Sequence, residues 1–171
     1  AAFDAGATIL THAFNAMPGL HHREPGPIGA ATADPRVTLE VIADGVHLAP
    51  EVVRIAFAAA PGRIALVTDA MAAAGSADGD YVLGALAVRV ENTVARLLDG
   101  TIAGSTLTQD AALRTAVAAG VDLPAAVTAL TTTPAQAIGR PELGSLAIGS
   151  PADAVLLDAD LVVRRVWTGC A

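Results

Sequence analysis

Apolar and polar positions along the first seventy residues fall into short alternating blocks. Residues 7–14 form a β-branched and apolar run between Gly6 and the Pro18-Gly19 turn. Its lack of strict alternation predicts a strand buried on both faces. Residues 37–43 predict a second strand that ends at Asp44-Gly45, and residues 64–68 a third that ends at Asp69. Before the third, Pro50 opens a helix predicted to run to about residue 60, with Val52, Val53, Ile55 and Phe57 on its apolar side. Pro61-Gly62 breaks it. The stretch 18–34, rich in Gly and Pro, predicts a long loop of the kind that carries function. Residues 1–6 read as the last turn of a helix capped by Gly6. The chain thus opens in mid-helix, as a piece of a longer protein would.

The pattern then changes. Residues 81–83, 86–90 and 94–98 predict a hairpin-like insertion across residues 78–100. Two Ala-rich helices are predicted at 108–119 and 124–138, with Asp110 and Pro124 in their first turns. The tail, 144–170, predicts three short strands separated by Gly149-Ser150-Pro151 and Asp158-Ala159-Asp160. Strands that alternate with helices and end in polar residues predict parallel β/α units. In such units chemistry sits at the carboxyl ends of the strands.

Composition narrows the function classes. A chain of 171 residues holds one domain, or one with a small appendage, and 53% hydrophobic against 16% charged residues excludes a disordered acidic tail. Ten basic against seventeen acidic side chains give a net charge of -7, so no basic field exists for nucleic acid or an anionic membrane surface. Every basic residue is Arg; without Lys there is no Schiff base and no carbamylated-lysine metal bridge. The single Cys170 allows no internal disulfide and fits a reducing, cytoplasmic compartment. No run of 18 uncharged apolar residues predicts a membrane span.

Three candidate sites occupy the ends of successive predicted strands. A neutral imidazole at His12 is a good ligand for a borderline metal, and Asn15 offers an amide to a polar substrate. The plainer alternative for His12 is a buried ring satisfied by a backbone carbonyl. His47, after the Gly45 turn, would hang over the same rim; alternatively it is an exposed loop residue. Asp69 is placed to take a proton from water and return it, or simply to cap the next helix. Arg23 adds a fixed charge that suits a phosphate or carboxylate, unless it only pairs with Glu24. Gly104-Ser105-Thr106 is a weak candidate for an anion site before a helix.

The strings Thr11-His12-Ala13-Phe14-Asn15-Ala16-Met17-Pro18, Arg23-Glu24-Pro25-Gly26, Ala43-Asp44-Gly45-Val46-His47 and Leu66-Val67-Thr68-Asp69-Ala70-Met71 closely resemble the N-acetylglucosamine-6-phosphate deacetylases of the amidohydrolase superfamily. Asp99-Gly100-Thr101-Ile102-Ala103-Gly104-Ser105 and the segment from Gly144 to Ala154 extend the match to the carboxyl-terminal half of that family. The resemblance implies an α/β fold: the C-terminal part of a (β/α)₈ TIM-type barrel over residues 1–140, with residues 141–171 joining a small flanking β-sandwich. It implies that His12 is a metal ligand and Asp69 the catalytic base that then protonates the departing amine. Asn15, Ala16, Arg23 and His47 would hold the sugar phosphate, and Ile102, Ala103 and Gly104 would line the substrate. The implied reaction is hydrolysis of the acetamide of N-acetylglucosamine 6-phosphate, with a divalent metal (zinc or iron) and a homodimeric full-length protein.

One departure accompanies this resemblance. The family's metal also takes a Glu and a second His from before the His-x-x-Asn-Ala-Met strand, and residues 1–11 hold neither. A barrel of this type needs about 250 residues. Two alternatives therefore stand beside the deacetylase. One is a non-catalytic half-barrel that associates with another chain through the open edge of its first strand. The other is an amidohydrolase acting on a cyclic amide or a related acylated amino sugar.

Overall fold

The computed structural model describes residues 1–169; Cys170 and the final alanine lie outside the described residues. Its centre is a three-stranded parallel sheet of β1 (Ile9–Leu10), β2 (Thr38–Val41) and β3 (Ile64–Leu66), in that order, an α/β arrangement. Ile9 pairs with Thr38, and Leu39, Glu40 and Val41 pair with Ile64, Ala65 and Leu66. Leu39, Val41, Ile64 and Leu66 point into one apolar cluster with helices α1 (Gly26–Ala33) and α2 (Pro50–Ala59) and with α3 (Gln109–Ala118) and α4 (Leu123–Thr128). The other face carries Glu40, whose carboxylate accepts the Thr11 hydroxyl at 2.7 Å.

The first strand is shorter than expected. His12 and Phe14 adopt φ of +30° and +77°, outside the β region, so the ladder stops at Leu10 although Ala13 still donates to the Glu40 carbonyl. Within the polar stretch the structure forms α1, which begins at Gly26-Pro27 and buries Ile28 and Ala31. Its Gly-rich sequence has no helical periodicity, which hid it. In α2 the buried residues are Val53 and Ala56, whereas Ile55 is half exposed, contrary to the apolar side expected for it.

Arg63, just before β3, holds the end of α1. Its Nη1 donates to the carbonyls of Ala31, Asp34 and Val37 at 3.0, 2.9 and 2.6 Å, and Nη2 donates to Thr32 at 2.7 Å. The free edge of β3 is occupied at Leu66. Its N–H donates to the Ala129 carbonyl at 2.8 Å, and its carbonyl accepts the Gln109 amide at 3.4 Å. That bond falls at a break in the expected 124–138 helix, which divides into α4 and α5 (Thr132–Ala137) around the non-helical Thr131.

The expected hairpin forms an antiparallel sheet of β4 (Gly79–Leu83), β5 (Leu86–Glu91) and β6 (Val94–Leu97), with Val88, Val90 and Ala95 packed on Met71, Ala73 and Ala103. Among the described residues the tail contains two strands rather than three: β7 (Ala154–Leu157) pairs with β8 (Val163–Trp167), and residues 144–148 are irregular. Arg114 of α3 ties this ribbon to the helices by donating to the Leu161 carbonyl at 3.0 Å. Among the described residues, no helix is long and apolar enough to cross a membrane.

Candidate active site

His12, His47 and Asp69 each follow the carboxyl end of one strand of the parallel sheet, two, six and three residues after β1, β2 and β3 respectively. The turn after β1 is built on unusual backbone. Along with His12 and Phe14, Ala16 has φ +53°, and so three of its residues occupy a region that side chains other than Gly rarely enter. Such strain persists only where surrounding contacts hold it, and it gathers at functional sites. Here Asn15 N–H donates to the His12 carbonyl at 2.9 Å while His12 Nδ1 contacts the Asn15 carbonyl at 3.1 Å. A carbonyl only accepts, so Nδ1 carries the proton and Nε2 is left with its lone pair. The plainer expectation for His12, a ring satisfied by a backbone carbonyl, therefore holds for one of its nitrogens. The Asn15 amide is turned back onto the Ala13 carbonyl at 3.3 Å.

Arg23 lies exposed in the following loop. Its Nη1 donates to His22 Nε2 at 2.7 Å, and the His22 ring stacks at a tilt on that of His21, 4.2 Å between centroids. Among the described residues Arg23 forms no ion pair with Glu24, the partner that its sequence neighbourhood suggested.

After β2, Asp44 organises the turn. One carboxylate oxygen accepts the N–H groups of Val46 and His47, each at 2.8 Å, and the other accepts Nδ1 of His47 at 2.6 Å. Burial raises the Asp44 pKa, but the hydrogen bonds from the His47 ring and these amides outweigh it and leave the carboxyl below its usual range. The side chains of His47 and Asp44 are 7% and 13% exposed, so His47 is not the solvated loop residue of the alternative reading. Sequence reasoning took Asp44 only as part of a turn; Asp-Gly-x-His, an Asx-turn signature with a histidine three residues on, was the available signal.

After β3, Asp69 has φ +48° and an exposed side chain. Its carbonyl accepts the Ser105 N–H at 2.8 Å, and the Ser105 carbonyl accepts the Met71 N–H at 2.9 Å. The buried Ser105 hydroxyl donates to the Thr68 carbonyl and accepts the Leu107 N–H. This clasp brings Gly104 and Ser105, some thirty-five residues distant in sequence, against Asp69, while Ile102 bridges to Arg96 and Ala103 donates to the Ala95 carbonyl in the hairpin sheet. It also uses up the groups that made residues 104–106 an anion-site candidate, and α3 starts only at Gln109. Gly104, at φ +65°, is required by the fit. A Cβ there would stand 3.1 Å from the Asp69 carbonyl oxygen and 3.2 Å from Met71 Cβ. Gly104→Ala is expected to lower the thermal midpoint, at a cost of about 1–3 kcal/mol from left-handed backbone strain alone; a variant as stable as the parent in a melting curve would refute the clasp.

Among the described residues the functional atoms of His12, Arg23, His47 and Asp69 form no hydrogen bonds with one another; His12, Arg23 and His47 are each held by their own neighbours, and the Asp69 segment by its backbone carbonyl. A cavity of about 410 Å³ lined by Phe57, Ile64, Val121 and Ala129 lies at the amino end of β3, away from all of them. Among the described residues no three His, Cys, Asp or Glu side chains converge as metal ligands. His12 has the correct tautomer for a ligand, but a single imidazole does not make a metal centre.

Residues 1–169 match the sequence model of the amidohydrolase family. The chain is 46% identical over 169 residues to N-acetylgalactosamine-6-phosphate deacetylase of Escherichia coli O157:H7, covering 98% of this chain and 45% of that protein. It is 44% identical over 158 residues to a putative N-acetylgalactosamine-6-phosphate deacetylase of Escherichia coli strain K12, covering 91% of this chain and 95% of that one. Its fold superimposes with a TM-score of 0.93 on a mutant of N-acetyl-D-glucosamine-6-phosphate deacetylase from Mycobacterium smegmatis in complex with N-acetyl-D-glucosamine-6-phosphate, at 48% identity, over 98% of this chain and 46% of that one. The chain thus spans less than half the length of two of these three proteins.

Proposed function

The chain belongs to the amidohydrolase family, and on that premise we propose that it carries part of the active site of a deacetylase acting on N-acetylglucosamine 6-phosphate. Residues 1–140 are the C-terminal part of a (β/α)₈ barrel in this reading, and residues 141–171 belong to a small flanking sandwich. The observation that carries it is the set of polar side chains after the carboxyl ends of three adjacent parallel strands, where barrels of this kind do their chemistry.

Asp69 is the catalytic group. It takes a proton from the attacking water as the C–O bond to the acetyl carbon forms. It then delivers that proton to the nitrogen as the C–N bond breaks, leaving acetate and glucosamine 6-phosphate. Ile102, Ala103 and Gly104, on the segment that Ser105 clasps to Asp69, line the sugar with backbone groups. Asn15, Ala16, His47 and Arg23 hold the sugar phosphate, Arg23 from a loop exposed enough to serve the partner's site in a homodimer. The family generally uses divalent metal, and the His12 imidazole is a donor suited to zinc or iron. The described residues do not complete such a site. We place the protein in a reducing cytoplasm, in keeping with its single cysteine.

Release of acetate from N-acetylglucosamine 6-phosphate, and far less from the unphosphorylated sugar, is the expected result in the enzyme assembled with its full active site. Equal turnover of both would sink the reading. Arg23→Ala should raise KM for the phosphorylated sugar by about 10- to 100-fold, the worth of one charged hydrogen bond, with kcat little changed. The names of the two Escherichia coli relatives favour a second reading, the galactosamine epimer. Comparing kcat/KM for the two epimers separates them.

A further inference from the structure

Asp44, paired with His47, has a role that the proposed reaction leaves unassigned. An ionised carboxylate only accepts hydrogen bonds, so the ring nitrogen 2.6 Å from Asp44 must be the donor. That nitrogen is Nδ1. The second carboxylate oxygen is pinned by the two amides of the turn, and so Asp44 cannot swing away without opening the turn itself. Among the described residues no side-chain nitrogen or oxygen is buried without a partner, and His47 Nε2 has no protein partner. His47 Nε2 therefore reaches the surface, within the 7% of this side chain that is exposed.

We propose that Asp44 is a positioning residue. By holding the proton on Nδ1, it fixes the His47 ring in one orientation and one tautomer and leaves the Nε2 lone pair as the ring's polar atom for a ligand. A neutral His47 then accepts from a sugar hydroxyl. The identity of that ligand rests on the deacetylase reading above; the tautomer does not.

The chain holds only four histidines, so long-range proton–nitrogen correlation spectra of the nitrogen-15-labelled protein, taken well above the ordinary histidine titration range, can resolve His47. The expected spectrum shows Nδ1 protonated and Nε2 bare. In Asp44→Asn the amide oxygen can still accept from the turn, but its NH₂ faces the ring, so the proton should move to Nε2 and the pattern should invert. A wild-type His47 protonated on Nε2 overturns the proposal, as does an unchanged pattern in a folded Asp44→Asn protein. Should that variant fail to fold, the wild-type spectrum decides alone. Adding N-acetylglucosamine 6-phosphate tests the other reading separately: an Nε2 shift supports ligand contact, and its absence removes the ligand but not the tautomer.

Discussion

Replacing Asp69 by asparagine is expected to slow amide hydrolysis by about 10²- to 10⁴-fold, the usual worth of a positioned acid–base group. Asparagine keeps the size of the side chain but cannot take the proton of the attacking water, so the loss should fall on kcat. The fold should not suffer. The Asp69 side chain is exposed, and what holds this segment together is its backbone carbonyl, which asparagine leaves in place on the Ser105 N–H. The backbone here is also at φ +48°, where asparagine is among the best tolerated residues other than glycine. Steady-state kinetics on a protein with an unchanged melting curve is the informative combination. Turnover within a few-fold of the parent would remove Asp69 from the chemistry.

The second large effect concerns stability rather than rate. Arg63→Ala should destabilise the fold by about 2–4 kcal/mol, read as a lower midpoint in urea. One guanidinium serves four backbone carbonyls, those of Ala31, Thr32, Asp34 and Val37, and places a positive charge at the carboxyl end of α1. Removing it leaves several half-buried acceptors unpaired at once. Arg63→Lys should recover only part of the loss, because an ammonium on a flexible stem cannot span that set of acceptors as a planar fork does. A loss below about 1 kcal/mol would mean that water replaces the guanidinium at little cost.

Much of this architecture was legible as letters. The two strands at 38–41 and 64–66 were marked by apolar runs that end in a polar residue, and the helix from Pro50 by its proline and by its Pro61-Gly62 stop. The motifs containing His12, His47 and Asp69 were visible for the same reason: a turn after a buried strand needs specific residues. What escaped was set by tertiary contact. Helix α1 has too little periodicity to announce itself, and Arg63 stabilises its end from thirty residues away. The break between α4 and α5 sits where Ala129 meets the edge of β3, a partner no local pattern reveals. The first strand stops early because two residues that look ordinary in sequence, His12 and Phe14, are held at positive φ by the turn they build. Asp44 and Ser105 were underrated because their importance lies in what they hold, and that appears only once distant segments meet.

The bonds at Leu66 bear on how this sheet can grow. A carbonyl from Ala129 and an amide from Gln109 stopper the side of β3 that would otherwise recruit another strand, whereas β1 pairs only with β2 among the described residues. The two edges therefore differ: a newcomer, from the same polypeptide or another, can pair beside Ile9 and Leu10 directly, whereas a strand joining β3, as closure of the proposed barrel requires, must first displace Ala129 and Gln109 from Leu66. The same displacement opposes the pairing of two such sheets through their β3 borders, one common route to runaway edge-to-edge polymerisation.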